Sequence, residues 1–167
     1  MNSPYMGKFR VSQCFSAKHT GLDLVGVDSK EIHSTINGKV IRAGWENDKN
    51  HAQGFGLRVV IQRSGTSEFY YFGHLSEIRV NVGDVVKCTD IIGIEGNTGY
   101  STGNHCHYEC RLHDAKLYYQ DICKISGIPN KIGTYDDGYK ENAPNPESKN
   151  IKIEIDGVTY EGVVYKK

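Results

Sequence analysis

Two short stretches of the chain contain the residue types of a catalytic zinc site. His19 and Asp23 lie four residues apart near the start, and His105 and His107 lie two apart further along. Imidazole nitrogens and carboxylate oxygens bind Zn²⁺, and catalytic sites keep a fourth position open to water beside three protein ligands. Two extended segments placed side by side would give a His, Asp, His set of this kind, with one imidazole left over for proton transfer. The pattern predicts a metallohydrolase.

The cysteines beside the paired histidines offer a competing, structural zinc site. Side chains of a strand alternate between its faces, so the odd-numbered residues from His105 to Arg111 share one face, while Cys106 and Cys110 share the other. A site that combined these thiols with a neighbouring imidazole would need ligands from both faces, which a regular strand does not allow. We therefore interpret Cys106 and Cys110 as core residues.

The first stretch fits an extended segment better than a helix. Gly21 lies between His19 and Asp23, disfavours a helix and permits another backbone to approach closely. The helical His-Glu-x-x-His arrangement of other zinc peptidases is therefore not expected.

The remaining histidines divide into two groups. His33, His51 and His113 have no matching partner pattern and are interpreted as ordinary surface or core residues. His74 follows the aromatic run Tyr70–Phe72 and precedes a turn. Beside a zinc site, it is a candidate proton carrier.

The composition limits the classes of partner. Lys and Arg together number 20, as do Asp and Glu, so neither nucleic acid nor an anionic surface is indicated as a partner.

No apolar stretch reaches membrane-spanning length and the start has no apolar signal core, so we expect a protein made in the cytoplasm without membrane insertion. The five cysteines lack a disulfide-scaffold spacing and are expected to be reduced.

Short apolar runs separated by turn residues predict an all-β fold, mainly antiparallel, in one principal domain over residues 1–128. The predicted strands are Phe9–Val11, Gly38–Trp45, Phe55–Arg63, Glu68–Phe72, Asp84–Lys87, Ile91–Ile94 and His105–Leu112. A short helical turn is predicted over Leu117–Ile125, ended by Gly127 and Pro129.

The end of the chain has a different character. Residues 129–149 are rich in Gly, Asp, Asn and Pro and are interpreted as a linker. Residues 150–167 predict a β-hairpin, because Ile151–Ile155 alternates with charged residues and Asp156-Gly157 forms a two-residue turn. An isolated hairpin is marginal in water. Docking on the main sheet, self-association and docking on a larger assembly remain open.

Ordered motifs along residues 4–112 resemble those of the lysostaphin-like, LytM-type zinc endopeptidases, which cut peptidoglycan peptides. The motifs are His19-x-Gly-x-Asp23, Gly38-Lys-Val-Ile-Arg-Ala-Gly44, Gly54-Phe-Gly56 before Val59-Val-Ile61, Gly73-His74-Leu75, Val82-Gly-Asp-Val-Val86, Ile92-Gly93, and Gly96-Asn-Thr-Gly-Tyr-Ser-Thr-Gly103 before His105-x-His107. The resemblance implies the lysostaphin/LytM-type peptidase fold, a duplicated hybrid motif.

The resemblance also implies roles for individual residues. His19, Asp23 and His107 would bind one Zn²⁺ per chain, and His74 and His105 would be the catalytic pair. Glu109, on the face of His107, is a candidate for orienting a ligand imidazole, with an ordinary strand carboxylate as the alternative of equal weight.

Three positions depart from the family pattern. Cys106 replaces a usual Leu between the paired histidines, and Phe72 replaces a usual Tyr two residues before His74, which leaves the role of the adjacent Tyr71 open. Phe15-Ser-Ala-Lys18 stands where the family has Phe-Gly-x-Arg, so no substrate contact is assigned there.

The predicted function is hydrolysis of peptidoglycan peptide bonds in a groove walled by Asp48–Gly54 and Glu95–Asn104. The bond is left open between a D-alanyl to diamino-acid cross-link and a glycine bridge. The expected setting is a phage or prophage endolysin that reaches the cell wall through a holin or in a virion. Alternatives are a catalytically inactive scaffold or activator, a phage tail structural component, and a zinc hydrolase with another substrate.

Overall fold

The computed structural model describes residues 1–138 in full and the backbone of residues 148–155 and 158–165. Short antiparallel strands are the main regular secondary structure of the described chain. They are β1 (Lys8–Gln13), β2 (Leu22–Gly26), β3 (Glu31–His33), β4 (Gly38–Trp45), β5 (Leu57–Arg63), β6 (Glu68–Gly73), β7 (Glu77–Ile78), β8 (Val85–Val86), β9 (Ile91–Ile94), β10 (Cys106–Leu112), β11 (Gly133–Asp136), β12 (Ser148–Ile155) and β13 (Val158–Tyr165). The predicted all-β class is confirmed.

One large sheet carries most of these strands. Its eight strands follow the order β11-β1-β2-β10-β6-β5-β4-β8, and a smaller sheet has the order β3-β9-β7. Apolar side chains from both sheets, such as Leu22, Phe72, Ile32 and Ile92, belong to one core cluster. The sheets are thus held together by burial of apolar surface, the main favourable contribution to folding.

The central strands of the large sheet have one apolar and one polar face. Tyr108 on β10 lies opposite Leu22 on β2 and Phe72 on β6, and these three residues are fully buried in the core. The next residue along β10, His107, lies opposite Asp23 and Gly73 on the other face. This alternation follows from the period of two along a strand, and it places the candidate ligands opposite the core.

The prediction of a helix over Leu117–Ile125 is only partly correct. The structure has a 3-10 turn over Lys116–Tyr118 and a short helix α1 (Ile122–Ser126). The side chain of Asp121 accepts from the backbone N–H groups of Cys123 and Lys124, so a new helix begins there instead of continuing the earlier turn. Gly127 ends α1 in the left-handed conformation with φ 72°.

The end of the sheet extends into the segment predicted as a linker. Strand β11 lies within residues 129–149 and pairs antiparallel with β1, so the sheet includes residues beyond position 128. β-pairing supplied by β1 stabilises a segment whose own composition favours a loop. Residues 139–147 lie outside the described residues, and the boundaries 1–128, 129–149 and 150–167 remain predictions.

The C-terminal hairpin is confirmed at the level of the backbone. Strands β12 and β13 pair antiparallel with Ile155 opposite Val158, and they form a sheet of their own. The turn residues Asp156 and Gly157 lie outside the described residues. Docking of this hairpin on a partner remains a prediction. Within the part of the chain that the structure describes, no helix has the length and apolar character to cross a bilayer.

Candidate metal centre and catalytic histidines

Strand pairing brings the three predicted metal ligands together. His107 and Asp23 are register partners on β10 and β2, and His19 lies on the turn that leads into β2. Asp23 Oδ1 lies 2.8 Å from His107 Nδ1 and 3.0 Å from His19 Nε2. One ligand atom from each residue lies within 4.8 Å of the other two. Among residues 1–138, this is the set of three His, Cys, Asp or Glu side chains that is arranged to hold a metal ion.

Each imidazole of this set is also held at its other nitrogen. His19 Nδ1 lies 2.9 Å from the carbonyl oxygen of Cys14, and His107 Nε2 lies 3.1 Å from Glu109 Oε2. A histidine that binds metal usually donates its second N–H to a carbonyl or carboxylate in this way. Two imidazoles and one carboxylate with such partners are a donor set that fits Zn²⁺.

Gly21 makes the close approach of the two segments feasible. A Cβ at this position would lie 2.6 Å from His107 Nε2 and 2.7 Å from the carbonyl oxygen of Tyr108. Such contacts are shorter than real Cβ atoms make, and the backbone oxygen cannot move aside. A larger residue would therefore displace β2 from β10 at the level of the ligands.

The charges within the site support each other. Burial alone would raise the pKa of Asp23, but hydrogen bonds from His107 and His19 outweigh it and hold this pKa well below its ordinary value. Burial alone would lower the pKa of His107, yet hydrogen bonds to Asp23 and Glu109 raise it to about 8. Asp23 is therefore ionised at neutral pH and carries the negative charge that favours binding of a metal cation.

His74 and His105 lie side by side next to the ligands. Their ring centroids are 4.6 Å apart, and His105 Nε2 lies 3.5 Å from Asp23 Oδ1. His74 Nδ1 lies 2.7 Å from the carbonyl oxygen of Thr98, and His105 Nδ1 lies 2.8 Å from that of Gly103. In each ring this contact leaves Nε2 free of the backbone for proton transfer.

The backbone and the charge state of His74 are both unusual. Its φ of 62° lies in the left-handed region, which costs a non-glycine residue free energy and is often found at functional sites. Burial lowers the pKa of His74 to about 4, against the opposing effect of its hydrogen bond to Thr98. His74 is therefore neutral at neutral pH and can accept a proton.

The residues interpreted as ordinary lie elsewhere. Cys106 and Cys110 are fully buried in the core cluster, which confirms the parity argument. His33 is buried, and burial lowers its pKa. The ring of His51 stacks on Trp45 with centroids 3.7 Å apart, and His113 makes an edge contact with Tyr118.

The two loops predicted to wall a groove are joined to each other. Gly99 N donates to the carbonyl oxygen of His51 at 3.0 Å, and Tyr100 N donates to that of Gly54 at 2.9 Å. The second loop also carries Thr98 and Gly103, the backbone partners of the catalytic candidates. Both predicted walls thus belong to the same neighbourhood as the histidines.

Sequence reasoning missed several partners around the site. Backbone carbonyls such as those of Cys14 and Thr98 leave no signal in the sequence. Arg111 was placed on the face of His107 by parity but given no role, and in the structure its Nε donates to Glu109 at 2.6 Å. The contact of the Tyr71 hydroxyl with Asp114, in contrast, depends on a turn that the sequence does not reveal.

Comparisons with known proteins identify the family of this chain. The family model described as Peptidase family M23 matches residues 17–118, a range that contains all five histidine and aspartate candidates. Glycyl-glycine endopeptidase ALE-1 of Staphylococcus capitis is 36% identical over 92 residues, which cover 54% of this chain and 24% of that protein. Peptidoglycan DD-endopeptidase ShyA of Vibrio cholerae is 33% identical over 141 residues, covering 77% of this chain and 31% of that protein. The chain spans less than a third of the length of either relative.

The fold is also found in a solved structure. The catalytic domain of the antimicrobial peptidase lysostaphin from Staphylococcus simulans matches with a TM-score of 0.60 and 27% identity, covering 72% of this chain and 91% of that domain. This match confirms the fold expected from the sequence motifs. Since the family model also covers more than half of the chain, the chain belongs to peptidase family M23.

Proposed function

We propose that this chain is a zinc-dependent endopeptidase that hydrolyses peptide bonds of bacterial peptidoglycan. The observation that carries the proposal is the convergence of His19 Nε2, Asp23 Oδ1 and His107 Nδ1 on one point, beside the paired rings of His74 and His105. Membership of family M23 and the endopeptidase activities for which ALE-1 and ShyA are named support the same reaction class.

The chain's own residues supply binding, orientation and proton transfer. His19, Asp23 and His107 would hold the ion, and Zn²⁺ when bound supplies a Lewis acid that polarises the scissile carbonyl and lowers the pKa of water to about 7. Neutral His74 has Nε2 available to take a proton from the attacking water. His105 Nε2 lies 3.5 Å from Asp23 Oδ1 and would stabilise the developing oxyanion or return the proton to the leaving amine.

The proposal is tested on purified protein with His107→Ala. We expect the wild type to bind one Zn²⁺ and to release soluble peptides from peptidoglycan, and we expect the variant to lose both properties. His113→Asn is the matched control, because His113 is exposed, lies outside the site and has a φ of 53° that Asn tolerates. Elemental analysis and fragment release from purified cell walls are the measurements.

Other outcomes would identify the alternatives. A wild type that binds no zinc and releases no peptide would indicate an inactive scaffold, an activator or a phage tail component. Zinc binding with uncut muropeptides but cleavage of other peptides would indicate a hydrolase with a different substrate. Undiminished clearing of cell walls by His107→Ala would reject the metal site itself.

The bond that is cut is a narrower question. The names of the two relatives point to different bonds, a glycyl-glycine bond for ALE-1 and a DD bond of peptidoglycan for ShyA. Mass spectrometry of the fragments released from a glycine-bridged and a directly cross-linked peptidoglycan distinguishes the two.

We also propose, from the sequence expectation alone, that the chain acts on the wall as a phage or prophage lysin. A coding region flanked by holin or tail genes is expected. Neighbouring genes of ordinary cell division would contradict this origin without affecting the proposed reaction.

A further inference from the structure

A hydrogen-bonded series of side chains leads away from the candidate ligand His107. His107 Nε2 lies 3.1 Å from Glu109 Oε2, and the other oxygen of Glu109 accepts from Arg111 Nε at 2.6 Å. The three residues alternate along one face of β10, with Glu109 fully buried and Arg111 9% exposed. A carboxylate in a buried position needs hydrogen-bond donors and a counter-charge. Arg111 provides both to Glu109.

The guanidinium of Arg111 is itself held in a fixed orientation. Its central carbon lies 4.3 Å from the centroid of the Tyr71 ring and 5.3 Å from that of Phe55. A planar guanidinium stacked on aromatic rings keeps its direction as well as its charge. The Tyr71 hydroxyl donates to Asp114, which also accepts from Arg42 Nη2 at 2.5 Å.

The backbone at the far end of this series is strained. His113 and Asp114 follow β10 directly, and both have positive φ values, 53° and 54°. Each such conformation costs roughly 1–3 kcal/mol and persists only where its surroundings enforce it. Here the turn returns the carboxylate of Asp114 to Tyr71 and Arg42. The contacts around Tyr71 therefore keep an otherwise unfavourable turn in place.

The position of the proton on His107 decides whether this residue can bind a metal. An imidazole binds metal only in its neutral form, which has one N–H and one acceptor nitrogen. Asp23 Oδ1, 2.8 Å from Nδ1, and Glu109 Oε2, 3.1 Å from Nε2, both compete for that single N–H. Only when Glu109 takes it does the lone pair of Nδ1 face Asp23 and His19.

We propose that Arg111 is a positioning residue of the metal centre, which acts through Glu109 to keep the N–H of His107 on Nε2 and the ring in its metal-binding orientation. Arg111 is not one of the three candidate ligands and contacts Glu109 instead. The inference rests on the proposed zinc site and adds one residue to it, which acts on His107 through Glu109.

The test measures metal binding by the full chain, with Zn²⁺ affinity from competition with a chromogenic chelator and the visible spectrum of the Co²⁺-loaded protein. We expect Arg111→Met to weaken Zn²⁺ binding by about 10- to 100-fold, the usual effect of losing such a partner, and to alter the Co²⁺ bands. Arg111→Lys should recover part of the affinity, because it keeps the charge but not the planar, stacked fork.

Two further variants separate positioning from stability. The double variant Glu109→Leu with Arg111→Met removes the buried pair without leaving one charge alone. It should therefore be nearly as stable as the wild type but bind Zn²⁺ more weakly than the wild type does. Arg63→Met is the matched control, because Arg63 pairs with Glu68 at 3.2 Å on neighbouring strands away from His107. It should bind Zn²⁺ as the wild type does.

The outcomes distinguish this inference from the proposed function. Wild-type Zn²⁺ affinity and Co²⁺ bands in Arg111→Met would overturn the positioning role while leaving the zinc peptidase intact. Arg111 would have only a structural role if the Zn²⁺ affinity of Arg111→Met fell in proportion to its stability. In that case the double variant would keep the wild-type affinity, and Arg111→Lys would recover none of the loss. A wild type that binds neither ion would reject the proposed site itself.

Discussion

Both faces of strand β10 are buried, but one consists of apolar packing and the other of paired charges. Cys106, Tyr108 and Cys110 on one face are fully buried among apolar neighbours. On the other face, His107 and Glu109 are 7% and 0% exposed. Apolar burial has no preferred direction, whereas a buried charge must have partners at defined distances. The geometry of the second face is therefore specific, but its stability requires every charged group to keep its partner.

The apolar face should contribute most to stability. Tyr108 packs on Phe72 with ring centroids 5.5 Å apart, and its hydroxyl donates to Thr35 Oγ1 at 2.9 Å. We expect Tyr108→Ala to lower the free energy of unfolding by about 3–5 kcal/mol through the cavity that it leaves. Urea unfolding measures this, with exposed Tyr118→Ala as the near-neutral control. A Tyr108 variant as stable as the control would contradict the central position of this face in the core.

On the charged face, the effect of one substitution on stability should depend on whether its partner is still present. Glu109→Leu leaves the charge of Arg111 buried without its carboxylate partner. We expect the free energy of unfolding to fall by about 3 kcal/mol, because stacking on Tyr71 still stabilises the guanidinium. Addition of Arg111→Met should restore most of this stability. A double-mutant cycle by urea unfolding without metal measures the coupling. Additive losses from the two substitutions would show that Glu109 and Arg111 do not act as a pair.

A smaller change tests the assignment of Cys106 to the apolar face. Cys106→Ser keeps the size but buries a hydroxyl among apolar groups, so we expect a loss of about 1–3 kcal/mol. Zinc stoichiometry should stay at one per chain, because the thiol does not face the ligands. A loss of bound zinc at unchanged stability would place Cys106 in the metal site after all.

The exposed end of the charged face should contribute least. Hydrogen bonds from Arg42 and Tyr71 outweigh the effect of burial and lower the pKa of Asp114. Because the Arg42 side chain is 42% exposed, solvent screens the pair, and Asp114→Asn should cost less than about 1 kcal/mol. The lowered pKa of Asp114 stabilises the fold at any pH above its pKa in the unfolded chain, which is about 4. This stabilisation is lost as the pH falls through the lower pKa of the folded protein. Unfolding curves of wild type and variant should therefore converge in acid, and a difference that grows in acid would contradict this assignment.

Much of the site was predictable because strand periodicity is a local property. The alternation from His105 to Arg111 correctly separated the thiols from the polar face, and Gly21 correctly marked a close backbone approach. Strand β2 was not predicted as a strand, although it carries Asp23. It is short and pairs with β1, the strand before it, and with β10, whose His107 is 84 residues from Asp23 in the chain.

The sequence by itself determined the all-β class, the residue types of the candidate metal site and the membership of a peptidase family. Only the tertiary structure decided which atoms face each other: Nδ1 of His107 toward Asp23, Nε2 toward Glu109, and Arg111 behind them between Glu109 and Tyr71. The physical reason is that residue type and alternation are encoded locally. The orientation of a ring depends on hydrogen bonds to groups that are brought near only by folding.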